Sequence, residues 1–282
     1  MYNVTIFKPD HPRFKILDSY YEVAETIFWG LKSLGIQCEF TYNKLASDRR
    51  NIIFGWAPLV SIYGLSAIPH DSILYNLEQY SEQKIDDTPL KQLSDRFQIW
   101  DYCEKNIDRW VESSPAYEPF LMPICYAPTL EKLDKIEEDI DSIFIGSMGP
   151  NRSKTVTNIA NHINRPEVVI AGNIWGNKRN QLISRARVML NVSERSPTLK
   201  VFEIVRTSFY FANRKLTLAE RVADVYVEDD IRECATWADS SELPEKLDEL
   251  LSSKQLRTEL TEKSYEKFRK RDIQDFLSKW LN

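Results

Sequence analysis

Apolar residues in the first half of the chain come in short continuous runs, each stopped by turn chemistry. Val4-Thr5-Ile6-Phe7 is closed by Lys8-Pro9-Asp10-His11-Pro12. Residues 36–42, Asn51-Ile52-Ile53-Phe54 ahead of Gly55, residues 72–76 and Phe97-Gln98-Ile99-Trp100 follow the same pattern. Runs of this kind, bounded by Gly, Pro and Asp, predict strands buried on both faces. Between them, residues 16–34 place Ile16, Tyr20, Val23, Ile27, Leu31 and Leu34 at helical spacing, with Gly35 as the stop. A further helix is expected over residues 101–111, and Phe120-Leu121-Met122 runs into Pro123. Buried strands alternating with helices imply a parallel sheet covered on both sides, with ligands bound outside the carboxyl ends of the strands. The residues just after each strand therefore stand out: Asp10, His11, Trp56, Glu78, Gln79 and Asp101.

The pattern changes over residues 126–139. Pro128 is followed by Glu131, Lys132, Asp134, Lys135, Glu137, Glu138 and Asp139, which leaves little to bury and reads as a linker. A second alternating unit follows it. Strands are expected at 141–145, 167–171 and 187–192, with short ones near Phe211 and Val225; helices are expected at 153–163, 177–186 and 199–210. Three late helices cover 242–251, 254–268 and 272–281. The expected fold is α/β, with two Rossmann-like domains whose parallel sheets face each other across a cleft, a favoured place for ligands. The domains are residues 1–127 and 140–268, with 269–282 as a terminal helix that packs back on the first.

Composition narrows the function. The chain has 282 residues, 43% of them hydrophobic, and a net charge of −5, so it lacks the basic surplus of a general nucleic-acid binder. The opening MYNVTIFKPD has no signal-peptide core, and no stretch approaches the roughly 20 apolar residues of a membrane span. Cys38, Cys103, Cys125 and Cys234 form no CxxC pair, which suits buried thiols in a reducing cytoplasm, the expected location. The acidic runs Asp86-Asp87 and Glu228-Asp229-Asp230 read as solvated loops rather than a metal site.

Two stretches carry chemistry. In Ile145-Gly146-Ser147-Met148-Gly149-Pro150-Asn151-Arg152-Ser153-Lys154, two glycines let the backbone turn sharply after a strand and approach a ligand. The helix N-terminus that follows, with Arg152 and Lys154 beside it, suits a phosphate; an ordinary strand–helix turn with solvated cations is the plainer reading. Neither GxxxxGK[ST] nor GxGxxG is present. In the second stretch, residues 190–206, a buried strand ends at Val192 and a polar loop leads to a helix capped by Thr198, with Lys200 and Glu203 in its first turn. Glu203 there can accept two ribose hydroxyls and Lys200 can meet a pyrophosphate, or Glu203 can simply match the helix dipole.

Residues 141–268 resemble the donor domain of GT-B glycosyltransferases, particularly bacterial family-1-like and CgeB-like members. The resemblance is carried by Ser142-Ile143-Phe144-Ile145-Gly146-Ser147, Val169-Ile170-Ala171-Gly172-Asn173, residues 183–191, Lys200-Val201-Phe202-Glu203 and Leu256-Arg257. Ile52-Ile53-Phe54-Gly55, Ile73-Leu74-Tyr75-Asn76-Leu77-Glu78-Gln79 and Trp100-Asp101-Tyr102 are similar to polysaccharide-cluster members of the same group. The resemblance implies that Glu203 contacts the donor ribose and Arg152 the diphosphate. Asn191, Ser193 and Glu194 would face base and sugar, with Gly172 and Asn173 closing the base side. Retaining members often carry two glutamates with one residue fewer between them than the eight separating Glu194 from Glu203 here, which puts retention in doubt.

An inverting mechanism needs a base near the acceptor hydroxyl. His11, Glu22, Glu78 and Asp101 are the candidates, each with a plainer reading as solvated residue or helix cap. Trp56 and Trp100 at strand ends are candidate sugar platforms, although tryptophans more often fill cores. The expectation is a metal-independent transferase of polysaccharide biosynthesis. It needs no cofactor, because the nucleotide sugar is its substrate, and its acceptor is a glycan, a lipid-linked glycan with peripheral membrane association, or another hydroxyl. The rivals are a catalytically silent GT-B-like module binding sugar, nucleotide or partner, and a sugar-nucleotide epimerase of the same architecture.

Overall fold

The computed structural model describes residues 1–79, 88–162, 166–194 and 201–281. Contacts divide the chain into two units, Met1–Thr129 with Asp272–Asn282, and Leu130–Arg271. The first unit holds six strands, β1 (Tyr2–Ile6), β2 (Cys38–Tyr42), β3 (Arg50–Phe54), β4 (Ile73–Asn76), β5 (Gln98–Asp101) and β6 (Phe120–Leu121). They form one parallel sheet in the order β2-β1-β3-β4-β5-β6. The continuous apolar runs are the inner strands, with Ile52, Ile53, Phe54, Ile73 and Leu74 fully buried. The order reverses between β1 and β3, where Phe7 N donates to Phe54 O at 2.8 Å. Gly55 is required there: its φ is +72°, and a Cβ would stand 2.4 Å from Phe7 O.

Helices α1 (Tyr21–Ser33), α2 (Trp56–Tyr63), α3 (Thr88–Ser94) and α4 (Glu104–Ser113) connect these strands. The helix expected over residues 16–34 is α only from Tyr21. Residues Pro12–Tyr20 form a 3₁₀ segment that starts at a capping His11, with Pro12 in its first turn.

The second unit repeats the plan with β7 (Ile140–Ile145), α5 (Pro150–Ala160), β8 (Val168–Ala171), α6 (Gly176–Arg185) and β9 (Ala186–Asn191). It continues with α7 (Ile204–Ala212), β10 (Leu216–Glu220), α8 (Asp229–Arg232), β11 (Thr236–Ala238), α9 (Leu243–Ser252) and α10 (Lys254–Arg269). Its parallel sheet runs β11-β10-β9-β7-β8, the same relative order as the first five strands of the other sheet. The reversal here falls between β7 and β9. Phe144, Val188, Leu190, Leu216 and Leu218 fill the core on one side of the sheet with Leu243 and Leu247 of α9.

Three expectations in this unit are corrected. The helix expected over residues 199–210 begins at Ile204, because Phe202 N donates to Tyr226 O at 2.9 Å and Val201 pairs with Tyr226 in a bridge. The expected cap Thr198 lies outside the described residues. Phe211 is helical, the strand following at Leu216, and only that bridge lies near Val225. Asp229 and Asp230 open α8 rather than a solvated loop, and the buried Arg271 pairs with Glu228 and with Asp230, the latter at 2.7 Å. Asp86-Asp87 lies outside the described residues.

The terminal helix α11 (Ile273–Leu281) belongs to the first unit and packs on α1. Trp280 meets Trp100 edge-on at 4.8 Å and Tyr2 at 5.6 Å. Gly30 on α1 makes the close approach feasible, since a Cβ there would lie 2.6 Å from Leu277 Cδ1 and 2.9 Å from Ile273 Cγ2. Gly30→Ala is expected to lose about 1–3 kcal/mol by overpacking, read as a lowered urea midpoint. An unchanged midpoint would contradict this packing.

Candidate functional site

The second unit concentrates its polar side chains where β7 and β9 end, at the reversal of strand order where such sheets bind ligands. Gly146 follows β7 with φ +155°, and its N–H donates to Ala171 O at 3.0 Å. Gly149 is the N-cap of α5, with Pro150 in the first turn.

Arg152 follows on α5, its side chain 6% exposed. Its Nε donates to Val192 O at 3.0 Å, its Nη1 to Ser147 O at 3.1 Å and Ser147 Oγ at 3.2 Å, and its Nη2 to Glu203 Oε1 at 3.2 Å. All three nitrogens thus have acceptors within the protein. Arg152 is a brace joining four segments, which differs from the solvated cation and from the open phosphate ligand expected of it. The second oxygen of Glu203 pairs with Arg206 Nη2 at 3.3 Å. Both guanidinium groups lie over the Phe144 ring, at 5.7 Å for Arg152 and 5.4 Å for Arg206. Burial lowers the pKa of Arg152, the charge of Arg206 lowers it further, and Glu203 and Glu194 oppose both.

Glu203 stands at the N-cap of α7, yet its side chain makes no capping bond. Besides standing at the helix N-terminus, where its charge matches the dipole, it bridges the two arginines. Glu194 turns toward α5. Its Oε1 accepts from Asn151 N at 3.4 Å, its backbone O accepts from Asn151 Nδ2 at 2.6 Å, and its Oε2 is 3.9 Å from Arg152 Nε. Gly149 leaves the space, since a Cβ there would be 2.2 Å from Glu194 Cδ. Among the described residues, three buried polar atoms around this cluster have no hydrogen-bond partner: Asn191 Oδ1, Glu194 Oε2 and Arg206 Nη1. Asn191, Ser193, Glu203, Glu220, Arg221 and Trp237 line a pocket beyond β9 and β10, where Ser193 N donates to Glu220 Oε2 at 3.0 Å.

Gly172 and Asn173 are exposed after β8, and the space of a Gly172 Cβ lies 3.5 Å from Gly146 O, so these two turns adjoin. Lys154 is exposed and two residues from Arg152, hence on the other face of α5. Lys200 lies outside the described residues. Arg206 was missed in the sequence; its one signal is its position a helical turn after Glu203.

In the first unit the four base candidates have distinct surroundings. His11 is exposed, and its Nδ1 accepts from Arg13 N at 3.2 Å, a capping role. Glu22 is buried on α1, so its reading as a solvated face is corrected. Glu78 is exposed after β4 and accepts a hydrogen bond from the Tyr20 hydroxyl. Burial, and then the Glu78 carboxylate, push the Tyr20 phenol pKa well up. Asp101 is fully buried and accepts from Asn76 Nδ2 at 2.7 Å, Trp110 Nε1 at 2.9 Å, Asn106 Nδ2 at 3.0 Å and Cys103 N at 3.1 Å. Sealed from solvent with two donors on each oxygen, it organises the strand ends instead of meeting a substrate. Asn76 and Asn106 also donate to Glu78 O, at 2.9 and 2.8 Å, which ties Glu78 to this hub. Trp100 is fully buried among Tyr75, Phe120 and Trp280, which makes it core and not a sugar platform. Trp56 is half-buried against the core of the same unit.

Two successive Rossmann-like units, each a parallel sheet with helical connections, make this a GT-B fold. Solved structures sharing it include Anabaena HepE in complex with UDP and glucose, at a TM-score of 0.62 and 10% identity over 100% of this chain and 99% of that one. T4 phage β-glucosyltransferase superposes at 0.58 with 12% identity over 99% of both chains. TarM of S. aureus matches 95% of this chain at 0.57 with 11% identity, and this chain spans 57% of it. At these identities the likeness is one of fold. No protein-family model matches the chain, and no curated protein sequence does.

Burial raises the Asp101 pKa to about 7, against the pull of its four N–H donors. The folded carboxyl then holds its proton more tightly than the unfolded one, whose pKa is about 3.9. Its contribution to stability is full below about pH 4 and is lost as pH rises through about 7. Asp101→Asn sets an amide N–H₂ against two donors and is expected to cost about 2–4 kcal/mol while removing that part of the pH slope. Urea midpoints of both proteins at pH 5 and pH 8 measure this; the same slope in both would contradict it.

Proposed function

We propose that this chain is a glycosyltransferase that transfers a sugar from a nucleotide-sugar donor, held by the second unit, to a hydroxyl acceptor. The observation that carries the reading is the Glu203 carboxylate bridging Arg152 and Arg206 where β7 and β9 end. A carboxylate held by two cations is fixed in direction, ready to accept the two hydroxyls of a ribose. The glycine turn after β7 and the start of α5 supply backbone N–H groups for a diphosphate. Gly172, Asn173 and Asn191 border the place of the base. Structures sharing the fold include HepE in complex with UDP-glucose and a DNA-modifying β-glucosyltransferase with its substrate uridine diphosphoglucose, so UDP-sugars are the first donors to test.

In the proposed reaction the bond between the sugar's anomeric carbon and the diphosphate oxygen breaks as the acceptor oxygen bonds to that carbon. The acceptor proton passes to a base, and the nucleotide leaves as its diphosphate. Negative charge grows on the leaving oxygen in the transition state, where prearranged cations and N–H groups stabilise it more than in the ground state. Arg152 fixes the geometry, and Lys200 is an auxiliary cation. Glu78, bonded to Tyr20 and anchored through Asn76 and Asn106, is the favoured base, with His11 second. The acceptor is a glycan or a lipid-linked glycan, and the reaction is placed in the cytoplasm and needs no metal. Among the described residues no helix is long and apolar enough to cross a membrane.

A silent binding module remains as a second reading, favoured by the engagement of Asp101 and the burial of Glu22. A transfer assay separates the two, since only the enzyme releases UDP in the presence of acceptor.

UDP at a hundred times its Kd is expected to add about 2.7 kcal/mol of stability, a shift of several degrees in Tm. Glu203→Ala is expected to weaken UDP binding about 10- to 100-fold with the circular dichroism spectrum retained. Equal affinity in the variant refutes the donor site. EDTA is expected to leave turnover unchanged, and a loss restored by Mn²⁺ would overturn the metal-free mechanism.

A further inference from the structure

We propose that Arg206, and not Arg152, is the side chain that binds the donor's phosphates, an inference that rests on the donor-site reading above. The two guanidinium groups share the Phe144 ring and the Glu203 carboxylate, yet their hydrogen bonding differs. Each nitrogen of Arg152 already donates within the protein, to Val192, Ser147 and Glu203. Among the described residues Arg206 pairs with Glu203 through Nη2, and its Nη1 is buried with no acceptor. A buried cationic N–H left without a partner carries a desolvation cost that an anionic ligand oxygen would remove.

Position supports the same assignment. Arg206 Nη1 lies 3.3 Å from where a Gly146 Cβ would be, so it overlies the side-chain-free turn that leads to α5. Glu203 and Arg206 stand one helical turn apart, so the ribose and phosphate contacts come from adjacent positions on one rigid element. Burial first and then the charge of Arg206 lower the pKa of Arg152, and an incoming dianion between the two guanidinium groups relieves that repulsion.

The test is calorimetric titration of the full chain with UDP and with uridine, which lacks the phosphates. Arg206→Gln is expected to weaken UDP about 10- to 100-fold while leaving uridine within about twofold. Arg206→Lys keeps the charge but loses the planar fork, and its UDP affinity is expected to fall about 3- to 10-fold with uridine unchanged. If Arg206 only positions Glu203, both ligands weaken together, and that result overturns the proposal, as does unchanged UDP binding. Should Arg206→Gln fail to fold, Arg206→Lys decides by the same two criteria. A wild-type chain that binds uridine as tightly as UDP also overturns the proposal. One that binds neither refutes the donor-site reading itself and this assignment with it.

Discussion

The Arg152 guanidinium, closed on one side by Glu203, is the interaction on which the second unit's site depends. It reaches the turn after β7 through Ser147, the end of β9 through Val192 and the start of α7 through Glu203. Three segments far apart in sequence are thereby fixed to the first turn of α5. A cation this buried is stable only while its partners remain, because losing one leaves a charge without compensation. The brace therefore couples the shape of the glycine turn to the direction of the Glu203 carboxylate.

The sheet explains why the brace lies there. In both units the strand order reverses beside the first strand, and the connections leave to opposite sides, which opens a crevice at the carboxyl ends. In the second unit, arginines and glutamates fill that crevice. In the first, the polar centre is Asp101, whose four N–H donors come from β4, α4 and the turn after β5. The same architecture is thus stabilised by a guanidinium in one unit and a carboxylate in the other, and Glu78 is held at the rim of the second kind of hub.

Much of this fold was legible because strands covered on both faces read as unbroken apolar runs; Asn51-Ile52-Ile53-Phe54 and Ile143-Phe144-Ile145 needed no tertiary knowledge. The start of α7 was not legible, since Val201 and Phe202 are drawn out of a helical pattern by pairing with Tyr226. Residues 16–20 fall in the expected helix because their apolar spacing cannot separate a 3₁₀ turn from an α turn. Glu203 was identified from its place at a helix start. The roles of Arg152 and Arg206 were not, because a helix arginine with every nitrogen engaged and one with a nitrogen unpaired look alike until distant carbonyls are brought to them. Asp101 after a strand resembles a cap, and only its burial beside Asn76, Asn106 and Trp110 reveals a hub.

The central claim is that the nucleotide of a sugar donor binds on this cluster of the second unit. A crystal structure of the chain with UDP tests it most directly. The account predicts the ribose hydroxyls on the Glu203 carboxylate and the phosphates over the Gly146–Ser147 turn, with the Arg152 bonds to Ser147 and Val192 retained. UDP bound elsewhere, or bound with Glu203 making no contact to the ribose, would contradict it.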